Sequence, residues 1–346
     1  MRKFTIAVDA MGGDYAPLKV VKGAVRATQQ EENVDVVLVG NVEEIKQVLK
    51  RLLYDHKRVR IEPAQSVVQM YDKPTVVFRE KRDSSIVRCI ELVKNRECDA
   101  FISAGNSGAV MAAAIAYLGR LKGILRPALG MILPTLNGNI LLIDAGVNVD
   151  CRAVHLLQFA IMGYVYKRLV LGVEKPRIGL VSNGTEPNKG NTVTKEAHNL
   201  IKKNFISFIG NIEGNDIFTG KADVVVCDGF LGNVVLKVSE SIPEIVVNFL
   251  RIEIKKSFWY KLGYLFAKPA FRVLRKKIDY AEFGGAPLLG VKGAGIIAHG
   301  RSNEQAIANA VMRAMFHAQT RLDGAIEKAI EKYMILHTIE EKKCMA

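Results

Sequence analysis

AFISAGNSGAVMAAAIAYL, residues 100–118, decides how this chain folds. Ala100–Ile102 is apolar without alternation, the pattern of a strand covered by helices on both sheet faces. Ser103–Gly108 is a turn of small and polar residues, and Ala109–Leu118 continues as a small-residue helix. The same unit recurs. Thr5–Val8 precedes Asp9–Asp14, Ile140–Ile143 precedes Asp144–Asp150, Ile178–Val181 precedes Ser182–Asn191, and Val224–Cys227 precedes Asp228–Asn233. Apolar strands alternating with helical stretches predict an α/β fold: three layers around a largely parallel, doubly wound sheet. Loops that follow parallel strands gather at one sheet edge, where ligands bind. That edge is the expected site.

With 346 residues and 49% of them apolar, the chain has enough material for a large core. Residues 1–335 are expected to form one catalytic unit with a cleft between two lobes, and 336–346 a tail. The net charge of +14 attracts acidic partners without choosing among nucleic acid, an anionic membrane, a phosphorylated substrate or an acidic protein. The five cysteines are scattered, without the close pairs of a zinc site or redox dithiol, which fits a reducing cytoplasm. Phe4–Val8 reads as a strand and not as a signal peptide, and no apolar run reaches the roughly 18 residues a membrane span needs.

One segment departs from the pattern. Ile254–Ile278 carries Lys255, Lys256, Lys261, Lys268, Arg272, Arg275, Lys276 and Lys277 with no acid, interleaved with Trp259, Phe266 and Phe271. It predicts a basic amphipathic helical hairpin over 250–280, broken by Pro269. Such a face suits reversible docking on an anionic membrane or a dimer interface.

Three loops carry the chemistry. Ser103–Gly108 ahead of a helix is either a phosphate cradle, with free amides and the helix dipole favouring an anion, or a tight turn capped by Asn106 or Ser107. Gly184–Asn191 places Lys189 at the mouth of a helix starting near Thr192. There it meets an anion, or is simply solvated. Asp9–Asp14 sets two carboxylates around Gly12 and Gly13, and these orient donors, bind a lysine or cap the helix at Leu18. Asn148 and Asn233, in the loops after the later strands, are candidate neutral donors. No G-x-G-x-x-G follows the first strand, which disfavours nicotinamide chemistry. Cys151 and Cys227 lie near strand ends without a histidine in suitable context, and His299 is an acid–base candidate or a turn histidine.

Seven motifs in order, VDAMGGDYAP (8–17), DSSI (83–86), SAGNSGA (103–109), GVNVDC (146–151), GTEPNKGN (184–191), DGFLGNVVLK (228–237) and EFGGAPLLGVKG (282–293), resemble the bacterial PlsX-type phosphate acyltransferases over about Lys3–Met315. The resemblance implies transfer of a long-chain acyl group from acyl carrier protein to inorganic phosphate, giving acyl phosphate for phospholipid synthesis. It also implies a fold like isopropylmalate dehydrogenase and phosphotransacetylase, and a homodimer. Loose membrane attachment follows, beside a membrane acyltransferase that passes the acyl phosphate to glycerol 3-phosphate. No cofactor, metal or nucleic acid is implied. With the loops above, it assigns Lys189, Asn191 and Asn106 to catalysis. Ser103, Gly105, Ser107, Gly12, Gly13, Asp14, Asn148, Asn183, Gly190 and Asn233 go to phosphate binding. Lys255, Trp259, Phe266, Phe271, Arg275, Lys276 and Lys277 go to membrane or partner. A basic rim of Arg79, Lys81 and Arg82 is either a face for the acidic carrier or a solvated helix face. Two alternatives remain: a phosphotransacetylase-like enzyme using short acyl-coenzyme A, and a non-catalytic basic protein that binds membrane or nucleic acid.

Overall fold

The computed structural model describes residues 2–205, 207–278 and 284–344, except the side chains of 244, 274–278 and 334–344. Its strands are β1 (Phe4–Asp9), β2 (Val34–Gly40), β3 (Val59–Pro63), β4 (Ala100–Ser103), β5 (Ala128–Thr135), β6 (Gly138–Ile143), β7 (Ile178–Val181), β8 (Phe208–Ile212), β9 (Val224–Val226), β10 (Ala286–Leu289) and β11 (Ala294–Ile297). They form one sheet in the order β3-β2-β1-β4-β11-β10-β5-β6-β9-β7-β8. β3, β2, β1, β4 and β11 run parallel. β10 then runs against both β11 and β5, and β5 and β6 pair as an antiparallel hairpin. β6, β9, β7 and β8 are again parallel to one another.

This reversal corrects one expectation. Between β11 and β6 the direction changes three times, so β6, β9 and β7 end at the opposite sheet edge from β1, β4 and β11. The loops therefore gather at two edges instead of one. The recurring units showed that each half is parallel, but nothing in a short run such as Ala286–Leu289 encodes which way it points.

The helices are α1 (Leu18–Gln30), α2 (Val42–Leu49), α3 (Ser85–Lys94), α4 (Ser107–Tyr117), α5 (Ala153–Leu169), α6 (Thr192–Asn204), α7 (Gly229–Lys256), α8 (Phe258–Ile278), α9 (Glu304–Gln319) and α10 (Leu322–Cys344). In the first half of the sheet, α1, α2 and α9 bury one face through Val21, Ile45 and Val311, while α3 and α4 bury the other through Ile90 and Val110. In the second half, α5, α6 and α10 cover one face through Phe159, Ile201 and Ile326, and α7 reaches the other through Leu236. Residues 336–344, expected as a tail, continue α10.

The predicted hairpin is present but longer, and it turns elsewhere. α7 starts at Gly229, where the Asp228 carboxylate caps it by accepting the Leu231 amide at 2.8 Å. The chain breaks at Ser257, which is extended and whose hydroxyl accepts the Trp259 amide at 3.2 Å. Pro269 lies inside α8 instead of ending it, because on an exposed helix water meets the carbonyl that proline leaves without a donor. Much of the hairpin's apolar surface is exposed, including Phe249, Trp259, Leu265 and Phe266. Among the described residues no helix is long and apolar enough to cross a membrane.

Candidate active site

The first edge is organised by Asp9, which ends β1 and is 1% exposed. Its carboxylate accepts the Ser103 hydroxyl at 2.6 Å and the Met11 amide at 3.3 Å. The Ser103 oxygen in turn accepts the Gly105 amide at 3.0 Å. Burial pushes the Asp9 carboxyl above the usual range, opposed by these hydrogen bonds. Gly12 is required here, since a β-carbon would overlap the Asp9 carboxylate and lie 2.8 Å from the Gly105 nitrogen. Gly13 adopts φ +102°, and the Asp14 amide donates to the Gly300 carbonyl at 2.8 Å. Asp14 is exposed and does not cap α1, whose cap position is Pro17.

Asn106 holds the next layer. Its carbonyl caps α4 by accepting the Ala109 amide at 3.0 Å. Its amide donates to the carbonyls of Asp72 at 2.9 Å and Met70 at 3.1 Å, with a longer contact to Gln69. The segment 66–82 is thus drawn over the β4–α4 turn as a flap, stitched by Lys81 to the Asp72 carboxylate at 2.6 Å and the Val67 carbonyl at 2.7 Å. Pro74 of the flap leaves no room for a side chain at Gly108.

This geometry corrects two assignments. The Asn106 side chain and the Gly105 amide are engaged within the protein, so they shape the turn and their donors are taken. Lys81, expected on the carrier-binding rim, is likewise committed to the flap. Helix geometry leaves the amides of Ser107 and Gly108 without an intrahelical acceptor. With the dipole of α4, these two amides and the exposed Ser107 make an open helix N-terminus at the position expected for the cradle.

The second edge repeats the device. Asp144, fully buried at the end of β6, accepts the amides of Leu129 at 3.0 Å, Val147 at 3.2 Å and Asn148 at 2.6 Å. The Asn148 side chain donates to Asp144 at 2.8 Å and to the Pro127 carbonyl at 2.8 Å, so this asparagine braces the loop with both side-chain donors taken. Burial raises the Asp144 carboxyl above its ordinary value. Gly232 of α7 sits directly on the Asp144 carbonyl, where any β-carbon would collide.

Lys189 lies in the β7–α6 loop at the same sheet edge. It is exposed, and its ammonium makes no ion pair among the described residues. The surrounding turn is rigid: the Asn183 side chain accepts the Gly190 amide at 2.8 Å, Gly190 holds φ +97°, and Asn211 donates to the Glu186 carbonyl at 2.8 Å. Asn191 caps α6 through the Thr194 amide at 2.8 Å, which ties up its carbonyl. Asn233 is exposed and faces Gly146. Lys189, Asn183, Gly190, Asn191, Asn148 and Asn233 therefore share one edge. Gly12, Gly13, Asp14, Ser103, Gly105, Asn106 and Ser107 share the other.

Neither Cys151 nor Cys227 is set up as a nucleophile. Burial pushes the Cys151 thiol up to about 12 and that of Cys227 well above its ordinary value. His299 follows β11, and its Nδ1 accepts the Arg301 amide at 3.1 Å, while Nε2 lies 3.7 Å from the Glu240 carboxylate of α7. Burial lowers its pKa. Among the hairpin residues, Trp259 and Phe266 are exposed, whereas Phe271 is partly buried with its ring centroid 5.4 Å from that of Tyr264. The side chains of Arg275, Lys276 and Lys277, and residues Glu282 and Phe283, lie outside the described residues.

Against known proteins, residues 4–323 match the family described as "Fatty acid synthesis protein". A phosphate acyltransferase of Geotalea uraniireducens is 49% identical over 99% of both chains. One from Geobacter sulfurreducens is 52% identical over 88% of each. Among solved structures, a phosphotransacetylase from Streptococcus pyogenes superposes with a TM-score of 0.60 at 16% identity, covering 92% of this chain and 94% of its own. A 4-hydroxythreonine-4-phosphate dehydrogenase from Klebsiella pneumoniae gives 0.54 at 14% identity, covering 92% of this chain and 100% of its own. These two likenesses establish the shared fold.

Proposed function

The chain belongs to the fatty acid synthesis protein family and is a phosphate acyltransferase; we propose that it moves a long-chain acyl group from the thiol of acyl carrier protein onto inorganic phosphate. The acyl phosphate then serves phospholipid synthesis, through a membrane acyltransferase that acylates glycerol 3-phosphate. One observation carries this reading: an open helix N-terminus at Ser107–Gly108, on a strand-end loop fixed by buried Asp9, and an ammonium at Lys189 without an ion pair among the described residues, on a strand-end loop held by Asn183 and Asn211.

The chemistry needs no protein nucleophile. A phosphate oxygen forms the new bond to the acyl carbon, the carbon–sulfur bond breaks, and the phosphate proton ends on the departing thiol. Positioning the dianion and stabilising the tetrahedral oxyanion supply the catalysis. Half-buried Cys151 and buried Cys227, both with thiol pKa values raised by burial, fit a reaction in which neither thiolate takes part.

The cradle and Lys189 occupy opposite edges of one sheet. A pocket that uses both draws them from two copies of the chain, the cradle of one facing Lys189 of the partner subunit. Phe230, Val234, Val238 and Ile242 form an exposed apolar stripe on α7 at four-residue spacing, which suits the second copy of a homodimer. The distal hairpin, with exposed Trp259 and Phe266 beside Lys255, suits peripheral attachment to the cytoplasmic membrane surface.

Free-thiol release from a long-chain acyl carrier protein thioester, with and without phosphate, tests the proposal. Release that requires phosphate, and outpaces that from short acyl-coenzyme A, is the expected result. Preference for the short thioester would favour a phosphotransacetylase-like enzyme, and no release from either would leave a binding protein.

A further inference from the structure

We propose that the acidic protein carrying the acyl thioester docks in the groove between the outer face of α1 and the segment after α2, held by Arg26, Arg51 and Leu53. This rests on the acyl-transfer reading above and adds where the carrier sits.

The groove has a volume of about 520 Å³ and is lined by Lys22, Arg26 and Gln29 of α1, Arg51 and Leu53 beyond α2, and Glu304 at the start of α9. Its charges divide into two groups. At one end Glu304 is matched by Lys19 at 2.9 Å and Lys22 at 3.6 Å. At the other, Arg26 and Arg51 are exposed and make no ion pair among the described residues. Beside them Leu53 is 91% exposed, more than any other large apolar side chain described. Its position is fixed, because Gln29 donates to the Leu53 carbonyl at 2.8 Å.

Two uncompensated guanidinium groups around a held-out leucine complement a helix that carries carboxylates along one side and an apolar residue between them. The concave shape favours such a helix over a flat bilayer. The location sets the reach required. α1 begins four positions after Asp14, and Arg26 lies about 12 Å along it from Leu18 at 1.5 Å per residue. Glu304 follows the 299–302 turn, whose Gly300 carbonyl receives the Asp14 amide at the cradle edge. α1 runs away from the cradle edge, so a carrier seated here lies toward the far end of that helix, and its flexible thiol arm has to span the length of α1 to reach the cradle. The alternative rim is weaker, since Lys81 is locked to Asp72 and the Arg82 guanidinium is engaged by the Phe78 carbonyl.

The test compares wild type with Arg26→Glu/Arg51→Glu and, independently, with Leu53→Ser. For each, the KM for the carrier thioester should rise roughly tenfold with kcat unchanged, and turnover of an acyl-pantetheine thioester lacking the carrier should stay at wild-type level. Added salt should narrow the difference for the charge variant but not for Leu53→Ser. A carrier KM within about twofold of wild type in both variants overturns the proposal. So does a KM rise confined to Arg79→Glu/Arg82→Glu, or loss of anionic-vesicle sedimentation in the arginine variant with carrier KM intact. Failure of the wild type to release thiol from either thioester overturns the acyl-transfer reading instead, a distinct outcome.

Discussion

Replacing Asn106 separates its two jobs. The Asn106→Ala variant loses the helix cap, which contributes about 1 kcal/mol, and the donated bonds at 2.9 and 3.1 Å, each about 1 kcal/mol. The 3.4 Å contact to Gln69 adds little. The sum is about 3 kcal/mol, of which about 2 kcal/mol belongs to the flap. Asn106→Asp keeps an oxygen for the cap and gains from the helix dipole, but it turns two donor contacts into carboxylate facing carbonyl. Both variants should therefore speed amide exchange in residues 66–82 by about 30-fold, the equivalent of 2 kcal/mol of opening. Only Asn106→Ala should also loosen the first turn of α4. Hydrogen exchange read by mass spectrometry resolves the two segments. Flap protection unchanged in both variants would refute the reasoning, because the flap would then be held by something other than this amide.

Other outcomes follow from the same contacts. Lys189→Ala should cut acyl-phosphate formation by about 10²–10³-fold with far-ultraviolet circular dichroism unchanged. Heterodimers of Lys189→Ala with Ser107→Asp should regain about half of wild-type turnover if each pocket joins two copies, and none if each copy is self-sufficient. Burial holds the His317 imidazole neutral and pushes its pKa down to about 4 from 6.5. Its contribution to stability is therefore complete above pH 6.5 and is lost as pH falls through 4. At about 1.4 kcal/mol per unit this loss comes to about 3–4 kcal/mol, and urea melts of His317→Gln should show a flatter acid limb. Charge reversal at Lys255, Lys261 and Lys268 should weaken co-sedimentation with anionic vesicles, as should reversal at Arg275, Lys276 and Lys277, by about 1 kcal/mol per charge at most. Neutral vesicles should not discriminate.

Much of the fold was legible because buried parallel strands write themselves as unbroken apolar runs. Thr5–Val8, Ala100–Ile102 and Ile178–Val181 became β1, β4 and β7 within a residue or two. Strand direction was not legible, since Ala286–Leu289 looks the same running either way, and direction decides which loops meet. Asn106 and Asn148 show a second limit. Their composition as polar turn residues pointed to ligand donors, but their partners are carbonyls at 69–72 and at Pro127, which local sequence does not place beside them. Asp9, in its glycine-rich turn, is legible as an orienting group, and the chain Asp9–Ser103–Gly105 makes that physical. Lys189 stands at the expected turn, its ammonium without an ion pair among the described residues. What sequence could not supply was that this turn and the cradle sit at opposite ends of the strands.

Heavy-oxygen labelling tests the central step most directly. Incubated with the carrier thioester and orthophosphate carrying heavy oxygen at every position, the enzyme should yield acyl phosphate that retains all of the label, because a phosphate oxygen attacks the acyl carbon. An acyl phosphate missing one heavy oxygen would mean that a carboxylate had attacked phosphorus, and direct acyl transfer would be wrong.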